Sequence, residues 1–259
     1  MDELKDLIDE IPGEFGDKLR EARDRNNAEN EKYGIEEATR RRGERQRIQQ
    51  DAEDAEKIRI KSIEALEKSG LKDAIKECTF ATFEINHDWQ RPMIELCRKF
   101  IAQDEFKFLY LSGQPGCGKT HLGTAVCGHF INAGRSTVYG IHSAMLIKLK
   151  AHVNDDCYED VQQKYTSPYA LYIDDFFKPA EEERNGKKTK LPPTGADIRH
   201  TFDFINMRVV QRKVTIITSE WSLDEIIRID EALGSRIKQK AGKFVLDIER
   251  KEGRNWRLK

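Results

Sequence analysis

Apolar residues fall unevenly along this chain. They are sparse through residue 75, then gather into short runs and helical stripes from residue 76 to 259. Phe108-Leu-Tyr-Leu111 is a continuous apolar run of strand length, and Ser136–Ile141, Ser167–Asp174, Val214–Thr218 and Lys243–Ile248 read as four more strands. Between them lie helical stripes. Ile94, Cys97, Phe100 and Ile101 precede the first strand, HLGTAVCGHFI follows it, and Ala144–Lys150, Cys157–Tyr165 and the set Ile198, Phe202, Ile205, Val209 come later. Ser222 reads as an N-cap ahead of the last strand. Strands of buried type alternating with helices predict a parallel sheet covered on both faces, an α/β fold. The stretch Lys178–Gly195, rich in Lys, Gly and Pro, is too long and too charged for a simple turn and reads as an expanded loop.

Residues 1–75 differ in kind. Leu4, Leu7, Ile8 and Ile11 make one apolar stripe on a short helix, which Pro12-Gly13 is expected to end. From Ile35 to Ser69 the chain favours helix, with Gly70 as a C-terminal cap. Whether Gly34 to Gly70 forms one continuous helix stays open. Its apolar positions (Ile48, Ala52, Ala55, Ile60, Ile63, Leu66) are too few to bury a core. Such a segment is a partner-docking element or a flexible charged extension, and the apolar stripe favours docking. Two regions follow: 1–75, a charged helical extension, and 76–259, the main domain.

Composition narrows the class. At 259 residues, 35% charged and with a net charge of −1, the chain has no global pull toward nucleic acid, so any such surface is a local patch. Five scattered cysteines without a C-x-x-C pair argue against a zinc site and a disulfide framework, and fit a reducing cytoplasm. The acidic N-terminus is not a signal peptide, and no apolar run reaches membrane-spanning length. The expectation is a cytoplasmic protein with no membrane partner.

The chemistry concentrates behind the first strand. Gly113-Gln114-Pro115-Gly116-Cys117-Gly118-Lys119-Thr120 fits the G-x-x-x-x-G-K-[ST] phosphate loop without a mismatch, and His121 follows in the helix. The glycines let backbone N–H groups turn inward onto phosphate oxygens, and the helix that begins here adds the positive end of its dipole. Lys119 supplies a cation for the β- and γ-phosphates, and Thr120 a hydroxyl for Mg²⁺. The third strand ends in Asp174-Asp175, at the sheet edge where open α/β folds bind ligands. Asp174 suits the Mg²⁺, and Asp175 suits orienting or deprotonating the attacking water. A nucleoside triphosphate is the expected ligand.

Gly118–Leu122, the Ile173-Asp174-Asp175 ending and Ala232-Leu-Gly-Ser-Arg-Ile237 together resemble AAA+ ATPases of the DnaC/DnaI helicase-loader group. Thr79-Phe-Ala-Thr-Phe83 and Gly253-Arg-Asn-Trp-Arg257 are similar too, so the resemblance covers residues 79–259. It implies a P-loop AAA+ core with a five-stranded parallel sheet, flanking helices and no lid domain, with ATP and Mg²⁺ as cofactors. It implies self-association into an ATP-dependent oligomer, in which Arg236 acts in trans as the arginine finger. Family loaders carry an extra helix between the second and third strands that touches single-stranded DNA. Ala151–Tyr165 fills that slot, with Lys148, Lys150, His152 and Lys164 nearby.

One position departs from the family. Its usual polar sensor, commonly Asn, is replaced by Thr218-Ser219-Glu220. An ionised carboxylate only accepts hydrogen bonds and repels phosphate, so sensing falls to Ser219 or Thr218, or turnover is slow. The leading reading is an ATPase, stimulated by DNA, that loads a hexameric DnaB-type replicative helicase during DNA replication initiation. The alternatives are an IstB-like transposase-helper ATPase that binds duplex DNA, and an ATP-gated interaction switch with little turnover. A DnaA-type initiator is less expected, because no C-terminal helix-turn-helix module follows.

Overall fold

The computed structural model describes residues 11–103, 105–154, 156–184 and 187–258; Leu4, Leu7 and Ile8 of the N-terminal stripe lie outside the described residues. The chain divides into two compact units that meet between Lys57 and Ile58.

The first unit is helical. Helix α1 (Gly13–Tyr33) is followed by α2 (Ile35–Ser69), a continuous helix whose residues up to Lys57 belong to this unit. Pro12 stands extended just before the first turn of α1, where a proline sacrifices no helical N–H bond; whether it also ends the N-terminal stripe lies outside the described residues. Gly34, at φ 80°, separates the two helices. Polar contacts join them: Arg45 donates to both Glu29 carboxylate oxygens at 2.7 Å, and Arg42 reaches the Asn30 side chain at 3.0 Å. The Arg41 guanidinium stacks 4.0 Å from the Tyr33 ring centre. Exposed pairs of this kind are screened by solvent and contribute little, so among the described residues this unit is held mainly by its helices' own bonds.

The second unit carries the sheet. Strands β1 (Phe108–Gly113), β2 (Thr137–Ile141), β3 (Ala170–Phe176), β6 (Val214–Ser219) and β7 (Val245–Ile248) lie in the order β2-β3-β6-β1-β7 and are all parallel. Residues on β1 and β3 alternate between two apolar clusters, as the two-residue strand period requires. Leu109, Leu111 and Tyr172 pack with Met93, Cys97 and Phe100 of α4 (Arg91–Ile101) and with Leu122 and Val126 of α5 (Lys119–Asn132). Phe108, Tyr110, Leu171 and Ile173 pack instead with Met145 of α6 (His142–Ala151), Phe204 of α8 (Gly195–Val210) and Ile237 of α10 (Glu231–Ala241). Helix α3 (Ala74–Glu77), α7 (Tyr158–Thr166) and α9 (Leu223–Ile229) complete the layers. No helix among the described residues is long and apolar enough to cross a membrane.

Leu71, only 4% exposed, sits in the first apolar cluster, with Ala74 and Ile75 against it. One feature differs from the sequence reading. The stretch read as a loop is partly an antiparallel hairpin, β4 (Ala180–Arg184) paired with β5 (Lys187–Leu191). Its register sets position 181 opposite 190 and 183 opposite 188.

Arg208 on α8 is fully buried. Its guanidinium donates to the carbonyls of Tyr165, Thr166, Pro168 and Val214 and to the Thr215 hydroxyl. Burial pushes its pKa down to about 9, which leaves it charged at neutral pH.

Candidate functional site

The phosphate loop leaves β1 and enters α5. Gly116 and Gly118 have φ of 74° and 94°, and a Cβ on Gly118 would lie 2.8 Å from the Phe83 ring, so only glycine fits there. The Lys119 ammonium is 7% exposed as a residue and donates to the carbonyls of Gly113 (2.8 Å) and Gln114 (2.9 Å). From the C-terminal side, Lys251 N–H donates to the Gln114 side chain and Trp256 N–H to the Gly116 carbonyl. The Cys117 thiol is buried, which raises its pKa and keeps it protonated. His121 is held to the Thr79 carbonyl at 2.8 Å and meets Phe83 edge-on, so it fixes the segment entering the domain.

Asp174, 7% exposed, gathers hydroxyls from three other elements. Thr120 of α5 donates to Oδ1 at 3.3 Å, Tyr139 of β2 to Oδ2 at 3.3 Å, and Thr218 of β6 to Oδ1. Burial raises the Tyr139 pKa, and the neighbouring carboxylate adds to the shift, so the phenol remains a donor. A carboxylate beside a threonine hydroxyl is a hard-oxygen set that suits Mg²⁺, which uses one or two protein oxygens plus phosphate and water. No group of three His, Cys, Asp or Glu among the described residues could hold a metal by itself.

Past Asp174 the chain turns sharply. Asp175 (φ 52°) and Phe177 (φ 47°) are left-handed without being glycine, a conformation that costs about 1–3 kcal/mol each. The surroundings fix the turn. Lys178 N–H donates to the Asp175 carbonyl, Phe177 N–H to His142 Nδ1 (3.1 Å), and Trp221 Nε1–H to the Phe177 carbonyl (2.6 Å). The Ser219 hydroxyl donates to the Phe176 carbonyl at 2.7 Å and accepts from Trp221 N–H. Ser219 is thus spent on the turn and does not line the cavity, whereas Glu220 does. That cavity, about 410 Å³, runs from Lys119, Thr120, Asp174 and Asp175 to an aromatic end at Phe83, Trp89 and Trp256. The Arg254 guanidinium lies 5.0 Å from the Trp89 ring centre there.

A phosphate loop facing a buried strand-end carboxylate across an aromatic-ended cavity is the arrangement of a nucleotide site. The family model for IstB-like ATP binding protein matches residues 51–237. This chain belongs to that family. It is an IstB-like ATP-binding AAA+ protein, related to the DnaC helicase loaders and to DnaA. It is similar to the uncharacterized protein YqaM of Bacillus subtilis (strain 168), 32% identical over 180 residues, covering 69% of this chain and 52% of YqaM. It is also similar to the replicative helicase loader DnaC of Escherichia coli (strain K12), 29% identical over 105 residues, covering 38% of this chain and 42% of DnaC. The chain thus spans about half the length of the curated relatives it matches. The structure of the replication initiator DnaA bound to AMPPCP and single-stranded DNA shares the fold, with a TM-score of 0.55 over 68% of this chain and 50% of that one, at 18% identity.

In this IstB-like protein the remaining sequence-selected residues stand away from the cavity. Arg236, on α10, stacks its guanidinium 4.5 Å from the Phe202 ring centre. Lys148 and Lys150 lie on α6 and Lys164 on α7, and Lys150 is ion-paired with Asp197 at 2.5 Å. Sequence reasoning missed Tyr139, Lys178 and the pair His142–Trp221, none of which belongs to a motif.

His142 gives the IstB-like site a pH dependence. Nδ1 accepts from Phe177, so the ring proton is on Nε2, which faces the Thr201 hydroxyl at 3.0 Å. Burial lowers its pKa from 6.5 to about 3. The unfolded chain therefore takes up this proton near pH 6.5, while the folded one does not. The stability tied to neutral His142 is complete above 6.5 and declines as pH falls toward 3, by at most about 1.4 kcal/mol per pH unit. Thermal melts should show the midpoint dropping from pH 7 to pH 5, and His142→Gln, whose amide oxygen can still accept from Phe177, should flatten that drop.

Proposed function

We propose that this protein is an ATP-hydrolysing helicase loader, which grips a hexameric DnaB-type replicative helicase through its N-terminal helices and single-stranded DNA through α6 and α7. What carries the reading is the union on one chain of a complete phosphate-loop cavity and a charged helical unit with little apolar core. In the cavity, Lys119 exchanges the Gly113 and Gln114 carbonyls for the β- and γ-phosphates. Thr120 and Asp174 hold Mg²⁺, which would neutralise the β- and γ-phosphate charge. Asp175 orients the attacking water and accepts its proton. Arg236 serves a neighbouring subunit's ATP, and Lys148 and Lys164 contact the DNA backbone, with Lys150 joining them once released from Asp197. The cytoplasm is the fitting compartment.

The test is capture of a DnaB-type hexamer on immobilised protein, using the full chain and a form lacking residues 1–57. This cut, unlike one at 75, leaves Leu71 in the core. Capture should depend on the removed unit, and equal capture by both forms rules out the docking role. A second reading, a transposase-helper ATPase, is supported by the IstB-like family match. Turnover stimulated by duplex DNA and not by single strands would select it.

A further inference from the structure

The substitution of Glu220 at the sensor position has a counterpart across the cavity. Lys178 follows the left-handed turn at Asp175 and Phe177, and that turn brings its side chain back over the end of β3. Its ammonium lies 2.8 Å from Asp175 Oδ2 and 3.9 Å from Glu220 Oε1. Glu220, with a side chain only 10% exposed, is fixed from behind, because Lys190 of β5 donates to its main-chain carbonyl at 2.6 Å. The Lys178 side chain is 57% exposed and lines the same cavity as Lys119, Thr120 and Asp174.

We propose that Lys178 is the γ-phosphate-sensing residue of this site and that Glu220 is its counter-charge. The inference rests on the cavity being an ATP site. A carboxylate facing the terminal phosphate would by itself repel it, and an ammonium between that carboxylate and Asp175 reverses the local sign. Lys178 has three donors on a flexible stem, so it can keep a contact with Glu220 while offering a proton to a γ-phosphate oxygen. ADP has no such oxygen. Lys178 also holds Asp175 in an ion pair, and drawing the ammonium toward a γ-phosphate releases that carboxylate to the water it is proposed to activate. The lysine thus ties release of the base to the presence of the phosphate to be cleaved.

The experiment is calorimetric titration of the full chain with ATPγS and with ADP, each with Mg²⁺. Lys178→Ala should weaken ATPγS by about 10- to 100-fold, the range for a hydrogen bond between charged groups, while ADP changes by less than about threefold. Lys178→Arg should keep most of the preference. Adding Glu220→Gln to Lys178→Ala should recover part of the ATPγS affinity, because the unbalanced charge is then gone. A merely structural lysine would shift both nucleotides alike, so an unchanged ATPγS-to-ADP ratio in Lys178→Ala overturns the proposal. Wild-type protein that binds neither nucleotide overturns the ATP site itself and the inference with it.

Discussion

Arg208→Met should destabilise the protein by about 3–5 kcal/mol, as breaking a buried charged network does, and lower its denaturation midpoint accordingly. Replacing both partners of a buried ion pair with apolar groups can be neutral, because nothing polar is left behind. That escape is closed here. The acceptors are the backbone carbonyls of Tyr165, Thr166, Pro168 and Val214, which no side-chain change removes. Methionine fills much of the volume yet leaves them unpaired, at about 1–3 kcal/mol for each group that water cannot reach. Arg208→Lys should restore only part of the loss, since three donors on one nitrogen cannot span acceptors at the end of α7, the entry to β3 and the start of β6. Urea unfolding followed by circular dichroism measures all three proteins. A loss below about 1 kcal/mol for Arg208→Met would mean that water satisfies those carbonyls.

The same residue marks where the sequence stops being legible. The parallel strands could be read because strands buried on both faces are continuous apolar runs, and Phe108–Leu111 and Val214–Thr218 fall inside β1 and β6. The phosphate loop and the Asp174-Asp175 ending could be read because each is local, its chemistry carried by neighbours in the chain. Arg208 has no such signature; an arginine in a helix usually faces solvent, and only the fold shows six acceptors, the Tyr169 carbonyl among them, converging on it. Asp174 illustrates both cases. Its position was evident from the strand end, but its hydroxyl partners at 120, 139 and 218 come from three separate elements. Ser219 was a fair candidate sensor by position, and its hydroxyl is committed to the Phe176 carbonyl because the turn after β3 needs a donor there. The β4–β5 hairpin was missed for another reason: its two segments are mostly charged in sequence and lack the apolar alternation by which strands are recognised. Gly34 and Pro12 were visible as punctuation, and Pro12 also stands just before α1, a place where proline is equally at home.

Arg236→Ala should lower ATP turnover about a thousandfold, the scale of losing an arginine finger, with little effect on folding or on ATP affinity. Among the described residues its partners are the Phe202 ring and the Ala232 carbonyl at 3.5 Å, and losing that cation–π contact costs about 0.5–1 kcal/mol. Arg236 does not line the cavity of its own chain, so a large kinetic loss with intact nucleotide binding would have to arise at another subunit's site. Mixing makes the distinction sharp. Lys119→Ala removes the phosphate-binding ammonium and keeps the finger; Arg236→Ala does the reverse. Each is inactive alone. In a head-to-tail assembly of equal amounts, about one interface in four pairs an intact site with an intact finger, and turnover should recover to about a quarter of wild type. A finger acting in cis gives no recovery at any ratio, because no single chain in the mixture holds both residues. Phosphate release at several mixing ratios, measured with single-stranded DNA present, separates the two, and the trans case alone makes the yield follow the product of the two fractions.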